Sequence, residues 1–304
     1  MELSHEQIKR DHDKWIEEQR AKYVLSETLP GQSYSKPKIE VKTVYDLVLR
    51  EKEAITDGTS EIANLNVLFP TINYSLLRGE TVVFVGAEKT GKTSFMHNWF
   101  LQQTDRKILN VHLEMAAGQE IRRLMQVYHK KTVNNTHNID SVRDLIDDTP
   151  EEKILDYVHP FQHIHFWDKS GYLKDVIEVI DNFDADIVYI DSFEQIYTDE
   201  KRGGNDITNQ KHICSQLQHQ ARQKGHVLIT VHHMNKGGDP RNIRPNAITG
   251  VKEISYATDH ILGFEKAENH KYGRILRNVI SRRHADLYLK LLGEPETLTW
   301  RLYD

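Results

Sequence analysis

From about residue 60 onward, short apolar runs alternate with longer stretches whose apolar positions recur at helical spacing. Thr81–Val85 is an unbroken β-branched and aromatic run, as suits a strand buried on both faces of a parallel sheet. Similar runs at Lys107–Leu113, His163–Trp167, Ile187–Ile190 and Val227–Val231 predict further strands. Between them, Ser94–Gln103, Gln119–Lys130, Leu173–Phe183 and Ile207–Lys224 predict helices. This alternation predicts an α/β domain with a mainly parallel central sheet. From Asp259 the pattern changes to strands alone, at His260–Phe264, Ile275–Ser281, Leu287–Leu292 and Leu298–Leu302.

The first part of the chain reads differently. Residues 2–25 are charged and broadly helical, with Ile8, Trp15, Ile16 and Tyr23 as scattered apolar positions. Leu29–Pro37 carries Pro, Gly and Ser together and predicts a linker. Thr43–Ala54 predicts a short amphipathic helix with Val44, Leu47 and Val48 on one narrow face. That face has no local partner, so the helix either folds back on its own domain or docks on a neighbouring subunit. The organisation expected is a helical N-terminal arm over residues 1–55 and an α/β domain over residues 56–304.

Composition narrows the setting. Of 304 residues, 38% are hydrophobic and 28% charged, enough to fill a large core beneath a solvated surface. A single cysteine, Cys214, excludes an intramolecular disulfide and suits a reducing compartment. The charged start MELSHEQIKRDHDKW is unlike a signal peptide, and no apolar run nears the roughly 18 residues of a membrane span. A cytoplasmic protein without a membrane partner is expected. The net charge of −5 confines any nucleic-acid contact to local basic loops. His163-Ile164-His165 sets two histidines on one side of a predicted strand, yet no Cys/His cluster has zinc spacing.

Candidate chemistry begins at Gly86-Ala87-Glu88-Lys89-Thr90-Gly91-Lys92-Thr93, which fits G-x-x-x-x-G-K-[ST] between a predicted strand and a predicted helix. Glycines let such a backbone curl its N–H groups inward at phosphates, and the helix N-terminus adds partial positive charge. Lys92 would reach the β- and γ-phosphates of ATP, and the Thr93 hydroxyl would ligate Mg²⁺. Asp191, at the end of Ile187–Ile190, is the expected second partner of that Mg²⁺. Hydrolysis needs a carboxylate to orient water. The residue after Asp191 is Ser192, so Glu114, ending its own strand, is the first candidate and Glu194 the second.

Leu113-Glu114-Met115-Ala116-Ala117-Gly118-Gln119, followed by Arg122, resembles the Leu-Glu-Met-Ser signature, with its later Gln and Arg, of DnaB-type replicative helicases. The resemblance covers roughly residues 60 to 304 in matching motif order and implies a RecA-like P-loop NTPase core. It implies that Glu114 is the catalytic carboxylate. Val227–Lys236 is similar to the family's sensor strand, which ends in a Gln or His that detects the γ-phosphate; His233 falls there, with His232 beside it. Ile248-Thr249-Gly250 through Asp259–Glu265 resembles the glycine turn, helix and Asp-led strand that follow. Arg277–Arg283 resembles the strand presenting an arginine finger to the neighbouring subunit's ATP. Here the chain departs from the family's Lys-x-Arg: Ser281 stands at the Lys and Arg283 at the finger, while a one-residue shift selects Arg282.

Members of that family commonly carry a separate N-terminal domain, for which about 55 residues are too few. The resemblance therefore implies a phage- or plasmid-type member, in a bacterial or phage-infected cytoplasm, with Thr43–Ala54 as its linker helix. Loops 199–205 and 236–245 combine Gly with Lys or Arg, as loops that track single-stranded DNA phosphates do. The leading expectation is an ATP-dependent ring helicase or translocase, a homo-hexamer with 5′→3′ polarity by resemblance. A primase, polymerase or loader is its natural partner. A RecA-like recombination or annealing ATPase and a non-unwinding loader stay open beside it.

Overall fold

In the computed structural model, the apolar runs become the strands of one large sheet. The structure describes residues 61–129, 159–198, 207–235, 237–245, 258–283, 287–295 and 297–303, with Val48, Lys52 and Ile254 singly. The chain divides into two units, Met1–Val48 and Leu49–Asp304, and every element below belongs to the second. The expected arm over residues 1–55 lies outside the described residues, apart from the helical Val48 and Lys52.

A short antiparallel pair, β1 (Glu61–Asn64) and β2 (Ser75–Leu77), precedes the main sheet. Then come β3 (Thr81–Gly86), α1 (Lys92–Leu101), β4 (Ile108–His112), α2 (Ala117–His129), β5 (Ile164–Trp167) and α3 (Leu173–Asn182). These are followed by β6 (Ile187–Asp191), α4 (Ile207–Lys224) and β7 (Val227–His233). Four more strands close the chain: β8 (His260–Lys266), β9 (Gly273–Ser281), β10 (Tyr288–Glu294) and β11 (Thr299–Leu302). The nine-stranded sheet runs β11-β10-β9-β8-β3-β7-β6-β4-β5. From β8 to β5 every neighbouring pair is parallel, and β9, β10 and β11 extend it antiparallel. The mainly parallel sheet matches the expectation from the sequence.

Period-two alternation sends β-strand residues to the two faces of the sheet. Phe84, Ile108, Tyr189, Ile229 and Phe264 face α1 and α2, where Phe95, Phe100 and Leu124 meet them. Leu109, Val111, Val188 and Leu228 face the other way, against Val176 of α3 and Ile213 and Leu217 of α4. Each fully buried aromatic or aliphatic side chain of this kind contributes about 1.5–3 kcal/mol. Helix α1 is buried on nearly every side, which explains why its sequence lacks a polar face.

Parallel strands put their carboxyl ends along one edge. Gly86 of β3 pairs in register with His233 of β7, and His112 of β4 with Asp191 of β6. Strand β9 runs the other way, so Ser281 lies opposite His260, at the edge where β3 begins. Three boundaries differ from the expectation in a useful way. Strands β6 and β7 extend to Asp191 and His233 themselves, which fixes the backbone that carries both side chains in the sheet's register. Helix α1 starts at Lys92, because Gly91 takes φ +94° and turns the chain directly into it. Among the described residues, no helix is long and apolar enough to cross a membrane.

Candidate active site

The loop Gly86–Thr93 leaves β3 and wraps the N-terminus of α1. A side chain at Gly86 would meet the Phe264 carbonyl at 2.8 Å, and one at Gly91 the Trp300 ring at 2.7 Å, so neither position accommodates a Cβ. Ala87, Glu88 and Lys89 form the tip, with Lys89 at φ +57°, while Thr90 is buried and its hydroxyl donates to the Ala87 carbonyl at 2.8 Å. Lys92 folds back inside the loop. Its Nζ donates to the carbonyls of Gly86 (2.9 Å) and Ala87 (3.0 Å) and lies 3.4 Å from His233 Nδ1. Burial pushes its ammonium down, against the pull of Asp191, Glu194, Glu114 and Glu88.

Thr93 and Asp191 meet at the base of the loop. The Thr93 hydroxyl donates to Asp191 Oδ2 at 2.8 Å, and the Tyr189 hydroxyl donates to the same oxygen at 2.8 Å. A buried carboxylate needs such donors. A hydroxyl and a carboxylate side by side are also the hard oxygen ligands that Mg²⁺ takes. Among the described residues there is no cluster of three or more His, Cys, Asp or Glu side chains fit to hold a metal. His163 contacts the Phe100 carbonyl, and His165 packs on the Phe183 ring.

His233 joins the two halves of the site. Its Nδ1 faces the Lys92 ammonium, which has only protons to offer, so Nδ1 accepts. Nε2 then carries the hydrogen and donates to Glu114 Oε1 at 2.9 Å. This bond raises the His233 pKa and lowers that of Glu114, which also accepts from the Ser192 hydroxyl at 3.2 Å. The geometry separates the alternatives left by the sequence. His232 points to the other face, stacked on Phe193 with centroids 4.3 Å apart, and burial drives its pKa down to about 3. Glu194 accepts the His233 backbone N–H at 2.8 Å, and burial raises its pKa. Glu114 and His233 thus stand toward Lys92; Glu194 and His232 brace the strand behind them.

Arg282 and Arg283 are not part of this cluster. They follow β9 at the opposite edge, where Arg283 pairs with Glu80 at 3.1 Å and Arg282 with Asp259 at 3.6 Å. Loop 199–205 and Lys236 lie outside the described residues. The rest of loop 236–245 sits at the phosphate-loop edge and is tied down in its second half. Ile243 is buried, its N–H donates to Glu265 at 2.6 Å and its carbonyl accepts from Arg277 at 2.8 Å. Arg241 and Arg244 are exposed on either side of that anchor.

Three features had no counterpart in the sequence reading. Tyr189 shares a strand face with Asp191, a period-two relation that could have revealed it. A buried cluster sits between α1, α2 and β4: His97 Nε2 and His112 Nε2 lie 2.5 and 3.1 Å from the Glu120 carboxylate. Burial would raise the Glu120 pKa, but those two histidines hold it well below the usual carboxylate range. A cavity of about 360 Å³ opens beside the loop, lined by Lys89, Gly91, Tyr272, Arg274 and Trp300 among others. Its walls come from strands distant in sequence, and no local pattern announces it.

A family model described as an AAA domain matches residues 50–239. Among solved structures, one described as an ATPase domain aligns with a TM-score of 0.69 at 16% identity, over 87% of this chain and 100% of that one. The structure of a DnaB-like replicative helicase, described with its interactions with primase, aligns with a TM-score of 0.65 at 14% identity. That match covers 86% of this chain and 67% of the other. At these identities the likeness is one of fold, the RecA-like ATPase fold with a mainly parallel sheet and flanking helices. No curated protein matches the chain by sequence.

Proposed function

The chain belongs to the AAA domain family, and on that premise we propose that it binds and hydrolyses ATP at the carboxyl edge of its sheet. We further propose that a homo-hexameric ring of this chain couples the turnover to movement on single-stranded DNA. The observation that carries the first part is the chain of contacts Lys92–His233–Glu114. Among the described residues, Lys92 has only carbonyl and imidazole partners within hydrogen-bond reach, so the γ-phosphate offers it a better one. As Lys92 shifts to the phosphate, His233 loses the contact at Nδ1 that sets its tautomer, and its grip on Glu114 changes with it. Nucleotide state is thereby reported to the residue that handles water.

In the hydrolytic step Glu114, kept ionised by its hydrogen bonds, orients a water and takes its proton as the oxygen attacks the γ-phosphorus. The bond to the ADP oxygen breaks and that oxygen leaves with the electron pair. Mg²⁺, held by Thr93 and Asp191, would neutralise charge on the β- and γ-phosphates. Lys92 and the inward N–H groups of the loop stabilise the same charge. Base and ribose have room in the cavity beside Gly91 and Trp300. Arg283, or Arg282, faces away from its own loop, as an arginine acting on a neighbour's ATP must. Loops 199–205 and 236–245 are the proposed DNA contacts, with a primase, polymerase or loader as the external partner and 5′→3′ movement by resemblance. The proposed organisation is an arm over residues 1–55 docking on the next subunit and an ATPase domain over 56–304.

Electron microscopy with ATP, Mg²⁺ and single-stranded DNA tests the ring: closed rings are expected, and filaments would favour the recombination-type reading. Strand displacement on a forked duplex tests the motor. Displacement lost in Lys92→Ala supports a helicase; ATP turnover on DNA without displacement points to a loader.

A further inference from the structure

Arg274 opens β9 at the phosphate-loop edge, paired in register with Lys266 of β8 and Leu291 of β10. It is 8% exposed, and among the described residues it has no carboxylate partner. Its guanidinium is spent on backbone carbonyls instead. Nε donates to Thr90 at 2.8 Å, and Nη1 donates to Gly273 at 2.7 Å and Lys271 at 3.3 Å. A buried cation is costly unless such bonds repay its desolvation. A position satisfied only by neutral dipoles therefore asks for a reason.

The Thr90 carbonyl supplies one. In a trans peptide the C=O of one residue and the N–H of the next point in opposite directions. Holding the Thr90 carbonyl outward, toward Arg274, turns the Gly91 N–H inward, to the side where a phosphate loop gathers its donors. The neighbouring contacts act in the same sense. The Thr90 hydroxyl bridges to the Ala87 carbonyl, and the Trp300 ring closes over Gly91 while its Nε1 donates to Ser94 at 3.1 Å. Gly91 at φ +94° has no side chain to fix its own peptide, so the fixing comes from outside the loop.

We propose that Arg274 is a positioning residue for phosphate binding, which holds the Thr90–Gly91 peptide with its N–H turned into the loop and adds an unneutralised positive charge behind it. This rests on the reading of the loop as an ATP site. The test compares wild type, Arg274→Gln and Arg274→Lys in full-length protein. ATP affinity is measured with Mg²⁺ by calorimetry, and amide hydrogen exchange is followed without nucleotide. Arg274→Gln should bind ATP about tenfold more weakly, the scale of one lost charge-assisted hydrogen bond. It should raise KM more than it lowers kcat and speed exchange in the peptide spanning residues 86–93 but not in β6. Arg274→Lys, which keeps the charge but not the fork, should fall between. Wild-type affinity in Arg274→Gln, or faster exchange spread evenly over the sheet, would overturn the proposal. Failure of the wild type itself to bind ATP would instead overturn the reading of the site on which it stands.

Discussion

The two edges of the parallel sheet hold similar residues and treat them in opposite ways. Where β3 begins, Glu80 lies 3.1 Å from Arg283 and 3.3 Å from His260 and accepts the Leu77 N–H. Burial would raise its carboxyl, yet these partners bring it down to about 2. Beside it Asp259 accepts from both the N–H and the hydroxyl of Thr81 and pairs with Arg222 and Arg282. Charge there meets fixed opposite charge. Where β3 ends, Lys92 and Arg274 rest on backbone carbonyls. Cations held by neutral dipoles gain from a multiply charged anion; cations already paired with carboxylates gain much less. The contrast favours the phosphate-loop edge as the proposed ligand edge, although Arg277 and Glu265 pair at 2.7 Å beside it.

The sharpest way to break this contrast is Arg283→Ala. If the paired edge also serves a neighbour's ATP, DNA-stimulated turnover of the assembly should fall by roughly 10³-fold, with ATP affinity nearly unchanged. A loss of stability without a loss of turnover would show that edge to be purely structural. Next in size, Lys92→Ala should cut turnover by about 10²–10³-fold while thermal stability holds, since the loop carbonyls it leaves can turn to water. Glu80→Gln should destabilise the fold by about 2 kcal/mol near neutrality, because Arg283 and His260 lose their shared anion. Its sign with pH follows from the lowered pKa. The stabilisation from Glu80 is fully present above its usual value and is lost as pH falls toward about 2, so the variant should show a flatter acid limb in denaturant titrations from about pH 5 to about pH 2. Smallest, Arg282→Ala should change stability by no more than about 0.5 kcal/mol, as its pair with Asp259 is half exposed.

Much of the sheet was legible because burial on both faces demands unbroken apolar runs, and β3, β6 and β7 show them. The pair β1 and β2 was not, since strands of four and three residues are too short to show a period. In the site, the residues at strand ends could be placed from sequence because parallel strands send those ends to one edge. That logic brings Asp191, Glu114 and His233 to the edge where the loop after β3 carries Thr93 at the start of α1. It could not choose between His232 and His233 until the strand phase was known, for adjacent residues face opposite sides of a sheet. Arg274 and Trp300 reach the loop from far along the chain, as the Arg274–Thr90 bond illustrates with its separation of 184 residues. No spacing rule reaches that far.

The hydrolytic step proposed for this edge depends on Glu114, held by His233, handling water. Turnover and ATP binding measured on wild type and Glu114→Gln, with Mg²⁺ and single-stranded DNA present, test it most directly. A loss of about 10³-fold in turnover is expected, with ATP affinity kept within a few-fold, since the amide can still accept from His233. A Glu114→Gln protein that hydrolyses ATP at the wild-type rate would contradict that role.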